Sequence, residues 1–101
     1  MLLIKKLSKQ IEREMAAAEC YIDMALEIKE SNPDLARNSY NRSVARMDVI
    51  RALHDDVVAL INAYKKDKGE PPAGMQAIYD YVHEQHIELA TQIKMKQELF
   101  K

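Results

Sequence analysis

The chain has no tryptophan, one cysteine, two glycines and three prolines in 101 residues. Each shortage excludes something. Cys20 alone cannot close an intrachain disulfide, which favours a reducing compartment over a secreted scaffold. Two glycines cannot build a phosphate-cradling loop, and Gly-x-Ser-x-Gly is absent, so nucleotide binding and serine hydrolysis through those motifs are not expected. Turn residues are too rare for a fold of many short strands. No stretch is long and apolar enough to span a membrane, and the opening Met1-Leu2-Leu3-Ile4 is cut off by Lys5 and Lys6, too short for a signal peptide. A net charge of −1 lacks the basic excess of a nucleic-acid binder. The expectation is a cytoplasmic protein that engages neither membrane nor nucleic acid.

Helix-forming residues dominate what is present: Ala, Leu, Glu, Lys, Gln, Met and Arg. Hydrophobic residues make up 48% and charged ones 31%, a globular balance. The length suits one domain, residues 1–101. Two breaks divide it. At Ser31-Asn32-Pro33-Asp34, Asn32 is a good N-cap, Pro33 fits the first helical position and Asp34 complements the positive helix end. One helix therefore stops near Glu30 and another starts at Pro33, and so short a connection makes them antiparallel neighbours. At Lys68-Gly69-Glu70-Pro71-Pro72-Ala73-Gly74, three lysines (65, 66 and 68) sit at a negative helix end and Gly69 is a natural terminator. A third helix follows from about Pro72 to Phe100.

Each helix carries an apolar seam at steps of three and four. In helix 1 it is Leu7, Ile11, Met15, Ala18, Ile22, Ala25. In helix 2 it is Ala36, Tyr40, Ser43, Met47, Ile50, His54, Val57, Ile61, Tyr64. In helix 3 it is Met75, Ile78, Val82, His86, Leu89, Ile93, Phe100. A second stripe on helix 2 (Ala45, Val49, Leu53, Leu60) makes it the middle rod, flanked on both sides. The fold class is all-α: three long antiparallel helices in an up-down-up bundle. Three thin rods leave side walls exposed, so a homo-oligomer, a dimer in the simplest case, is expected to cover them.

The run Ala18-Glu19-Cys20-Tyr21, the tight turn into Pro33-Asp34-Leu35-Ala36, and the long helix reaching Leu53-His54 resemble the ferritin-like superfamily. The likeness is to its small members encoded in phage and other mobile elements, and Lys68-Gly69-Glu70-Pro71-Pro72 followed by Ile78-Tyr79-Asp80-Tyr81-Val82-His83-Glu84 adds to it. The resemblance implies a metal site inside the bundle, with a Glu from one helix and a Glu-x-x-His pair from its partner converging on iron or manganese. This chain departs from that pattern. Where the Glu-x-x-His is expected it reads Arg46-Met47-Asp48-Val49, and an arginine cannot bind a cation. Helix 3 offers no substitute, because Glu84 is followed by Gln85, His86 and Ile87. The helix-1 carboxylate corresponds to Glu14 or Glu19. A structural ion pair of Arg46 with Glu14 or Glu19 would put a guanidinium where relatives hold a metal.

Three histidines remain. His54 and His86 lie on inward seams at a similar distance from the second turn, so a rebuilt iron, manganese or zinc site from His54, His86, Glu84 and Glu14 or Glu19 is one reading. The other makes each histidine a core or half-buried residue bonded to a neighbour, and this is preferred because metal ligation needs several ligands at one level. His83-Glu84-Gln85-His86 misses the zinc-protease motif, its second His coming one residue early. Cys20, the tyrosines and the methionines read as packing residues. Arg37, Arg42, Arg46 and Arg51 read as partners for Asp23, Glu27 and Glu30 on helix 1. The lysines near both ends (Lys5, Lys6, Lys9 and Lys94, Lys96, Lys101) read as solvated helix ends.

The combined expectation is a non-enzymatic ferritin-like bundle with no catalytic residue and no cofactor, phage- or mobile-element-associated, acting by self-assembly or by binding a partner protein. The alternatives are the metal-binding protein above and a small helical adaptor unrelated to ferritins.

Overall fold

Asn32 and Gly69 bracket the middle helix. The computed structural model describes Leu2–Lys101 and contains α1 (Leu2–Ile28), α2 (Pro33–Lys68) and α3 (Ala73–Phe100), with no strand among the described residues. The Asn32 side chain accepts a hydrogen bond from the Leu35 amide at 3.2 Å, with Pro33 at the first helical position. At the other end Gly69 takes φ +78°, a left-handed conformation that glycine adopts without a Cβ penalty. Its N–H bonds to Lys65 O at 2.9 Å, closing the last turn. α1 ends two residues earlier than Glu30. The Asn32 amide donates to Ile28 O at 2.8 Å and Ser31 Oγ to the same carbonyl, so the chain turns at once.

α1 and α2 pack closely because their shared face is built from small residues. Ala18, Ala25, Ala36, Ser39 and Ser43 are all almost fully buried. With so little side chain between the rods, Ser43 Oγ donates to Ala18 O across the interface at 2.7 Å. The same hydroxyl accepts from Gln97 Nε2 of α3 at 2.9 Å, so one buried serine ties all three helices. Contacts step in opposite senses along α1 and α2: Ser43 meets Ala18, and Arg46 meets Glu14. Along α1 and α3 they step in the same sense, Lys96 meeting Asp23 and His86 meeting Glu12.

Two apolar clusters fill this end. One joins Ile11, Met15 and Ala18 to Met47, Ile50 and Ile93. The other joins Ile22, Ala25, Ala36 and Phe100. Phe100 stacks on Tyr40 with ring centroids 4.8 Å apart, and the Arg37 guanidinium lies 5.3 Å from the Phe100 centroid. Each fully buried isoleucine here contributes about 1.5–3 kcal/mol through burial.

Burial then fades. In α2 the last buried residue is Ile50; in α3 the first is Ile93. Beyond those points α2 and α3 part, and the seam residues Val57, Ile61, Met75, Val82 and Leu89 are only half-buried. Ile78, expected inside, is 63% exposed. Ala45 and Val49 of the second α2 stripe face solvent, while Leu53 and Leu60 are half-buried, so α2 is not covered equally on both flanks. α1 keeps its hold to the far end through buried Ile4, one turn before half-buried Leu7. The molecule measures 55 × 18 × 18 Å, its length set by α2. None of the described helices is long and apolar enough to cross a membrane.

The Ser43 junction makes a direct prediction. Ser43→Ala strands the Gln97 amide in a buried site and removes the cross-helix bond to the Ala18 carbonyl, which keeps its partner within α1; the cost is about 1–3 kcal/mol. Chemical denaturation is expected to show that loss. A Ser43→Ala/Gln97→Leu double variant should lose less than the sum of the singles, because it removes a stranded partner.

Candidate functional site: an open apolar groove

Where α2 and α3 part, they enclose with the start of α1 a groove of about 640 Å³. Its apolar walls include Ile4, Ile11, Val57, Ile61, Met75 and Val82. Polar groups converge on it from all three helices: Lys5, Ser8, Lys9 and Glu12 from α1, His54 from α2, and Gln76, Tyr79, Asp80, His83 and His86 from α3. This size and this mixture of an apolar body with few polar groups are typical of a binding site.

Three polar atoms buried here have no hydrogen-bond partner: Gln76 Oε1, Tyr79 OH and His86 Nε2. All belong to residues lining the groove. Buried polar atoms are nearly always satisfied, by protein groups or by water, so these three are groups of the groove still able to hydrogen-bond. The nearest acid to His86 is Glu12, with Oε1 3.6 Å from Nε2, too far for a good hydrogen bond. Burial pushes the His86 pKa below the ordinary histidine value; Glu12 partly opposes this, and His83 and His54 add to it. His54 stacks on His83 with centroids 5.1 Å apart.

The residues singled out in the sequence fall in separate places. Arg46 Nη1 lies 3.0 Å from Glu14 Oε2, on the α1–α2 flank. The Glu14 side chain is only 13% exposed, and Gln10 Nε2 also donates to it at 3.4 Å. Glu14 holds the Arg46 pKa above its ordinary value by hydrogen bond and charge. Glu19 meets α3 instead: Lys96 Nζ lies 3.5 Å from Glu19 and 2.8 Å from Asp23. His54 and His86 both line the groove, while Glu84 faces solvent. Glu14, Glu19, His54, Glu84 and His86 are thus not gathered at one point, and among the described residues no three His, Cys, Asp or Glu side chains form a group able to hold a metal ion. The Arg46 guanidinium thus takes up Glu14, and the Lys96 ammonium lies near Glu19, the two α1 carboxylates that the family resemblance offers to a metal.

Other expectations change. Cys20 is exposed rather than packed. Of the arginine cluster, Arg51 pairs with Asp48 on its own helix and Arg37 lies over the Tyr40 and Phe100 rings; Asp23 is taken by Lys96. Sequence reasoning missed Lys96 and Gln97 as cross-links and Glu12, Gln76 and Tyr79 as groove residues. Gln97 was findable, since it sits one turn from both Ile93 and Phe100 on the inward face of α3.

No family model matches this chain, nor does any curated protein or solved structure.

Two outcomes test this description. Arg46→Ala leaves a largely buried carboxylate without its cation, so the melting temperature is expected to fall by more than in Glu14→Gln, which retains a neutral hydrogen-bonding group. Equal melts would contradict the pairing. For His86 the folded pKa lies below the unfolded one, near 6.5. Its neutral form therefore stabilises the fold fully above that value. The contribution is lost as pH falls through the unfolded and then the folded pKa. Denaturant unfolding between about pH 7.5 and 5.5 should show stability declining, and His86→Leu should flatten the decline.

Proposed function

We propose that this chain is a non-enzymatic, ferritin-like bundle of up-down-up antiparallel topology that works by helix-to-helix association, with copies of itself or with a partner protein. The observation that carries the reading is the groove. The three helices pack together at one end, α2 and α3 part at the other, and the space they enclose with α1 has mainly apolar walls and three buried polar atoms with no partner in the chain. An amphipathic helix entering as a fourth rod would bury the walls formed by Val57, Ile61 and Met75. Its polar groups would reach Tyr79 and Gln76. The opposed contact steps of α1 against α2, and the parallel steps of α1 against α3, support the up-down-up reading. The proposed setting is the cytoplasm, from the single cysteine, in a phage- or mobile-element-borne protein, from the motif resemblance.

A second reading draws on the three imidazoles. His54, His83 and His86 share the groove with Glu12, and rotation of their side chains toward one another would create a zinc, iron or manganese site. The association reading is preferred because two of these imidazoles are stacked on each other and the third carries a depressed pKa from burial among apolar walls.

Metal analysis separates the two. Protein purified without chelator is expected to carry no stoichiometric iron, manganese or zinc. Stoichiometric metal that disappears in a His54→Ala variant would overturn the preferred reading and establish the second.

A further inference from the structure

All three histidines of the chain line the groove, on the two helices that part there. His54 of α2 stacks on His83 of α3, with ring centroids 5.1 Å apart and planes inclined by 27°. His86 follows His83 by one turn of α3. Past Ile50 of α2 and ahead of Ile93 of α3, this stack and half-buried side chains are what the two helices share. Histidine is the side chain whose ordinary pKa places its charge change between about pH 5 and 8.

Charged groups face the cluster from every helix. α1 brings Lys5, Lys9 and Glu12 to the groove, and α3 brings Asp80 and the Tyr79 phenol. From α2 comes Asp55, with Oδ1 4.0 Å from His54 Nδ1. Asp80 accepts from Gln76 Nε2 at 2.9 Å. Glu12 Oε1 lies 3.6 Å from His86 Nε2, but the Glu12 and Asp55 side chains are 59% and 85% exposed, so water weakens their pull. Lys5 and Lys9 add positive charge to the same space. Carboxylates, lysines and the phenol keep their charge between about pH 7.5 and 5.5, so the imidazoles alone change there. Neutral rings stack readily; two imidazoliums at the same separation repel. Burial also disfavours the charged form of His86, which Glu12 opposes and His83 and His54 reinforce.

We propose that the three histidines form an acid-sensitive clasp, whose protonation parts α2 from α3 along the groove while the packed end stays closed. The opening is local because both of its ends are fixed. Ile50, Ile93 and the Ser43–Gln97 bond hold the helices on one side, and the short turn Gly69–Pro72 joins them on the other. The stretch between widens and uncovers Val57, Ile61, Met75 and Val82. The open form binds protons more readily than the closed one, so acid shifts the population toward it. That acid thereby favours entry of a partner helix rests on the association reading; the opening itself does not.

Pulsed dipolar distance measurement between spin labels on the full chain tests the clasp. One pair of labels sits at Ala59→Cys of α2 and Ala77→Cys of α3, both exposed, in a Cys20→Ser background. From pH 7.5 to 5.5 the ratio of longer- to shorter-distance populations is expected to rise about tenfold, the factor that corresponds to one pKa unit of proton linkage. A reference pair at the packed end, Ala16→Cys and Ala45→Cys, should not move, and helical circular dichroism should stay the same. His54→Gln/His83→Gln should remove most of the rise. His54→Gln alone should lower it, and since both rings are partly exposed these variants should fold. Distances indifferent to acid, or a full rise persisting in the double variant, would overturn the clasp and leave association standing. A shift in the reference pair as large as that in the groove pair would overturn it as well, because the whole bundle would then be loosening.

Discussion

The hydroxyl of Ser43 is the point on which this architecture hangs. It donates to the backbone of α1 and accepts from a side chain of α3, in a site from which water is excluded. Such a three-way junction demands small residues on both sides, because a longer side chain would hold α1 and α2 too far apart for the hydroxyl to reach Ala18. The alanines and serines of the α1–α2 face are therefore a geometric requirement, and the close approach they permit is what buries Ile22, Met15 and Ile93 around them. Above the junction lies a conventional core closed by Phe100. Below it a second cluster joins Met47 and Ile50 of α2 to Ile93 of α3, and past Ile50 the two helices meet only through half-buried side chains and the stacked His54 and His83 rings.

That asymmetry connects packing to function. Energy is concentrated at the end near the first turn, where apolar clusters, the Tyr40–Phe100 stack and the Lys96 cross-link reinforce one another. The opposite end is held by α1 packing and by Ile4, and its interior residues stay half-buried. A protein under selection for stability alone would close such a space with larger side chains or a tighter connection. Here the second turn, Gly69 to Pro72, is stiffened by two prolines, and the helices on either side of it stay only half-buried.

Much of the fold could be read from residues. The caps at Asn32 and Gly69, and the prolines after each break, act locally, so their meaning does not depend on the rest of the chain. The α1 seam was legible because its buried face is narrow and regular. The α3 seam misled at Ile78, since periodicity reports which residues share a face and not whether a neighbour comes close enough to cover that face. The site was less legible for the same reason. Arg46 and Glu14 meet because α1 and α2 are tightly registered. His54, His86 and Glu84 depended on the angle between α2 and α3, which no local pattern encodes. Lys96 was read as a solvated end and instead bridges two acids of α1.

Amide hydrogen exchange followed by mass spectrometry addresses the unequal ends most directly. Protection is expected to be strongest from Met15 to Ala25, Ala36 to Ile50 and Ile93 to Phe100, and to drop in α2 beyond Val57 and in α3 before Leu89. Uniform protection along all three helices in the isolated protein would contradict the account, because it would mean that no open end awaits a partner.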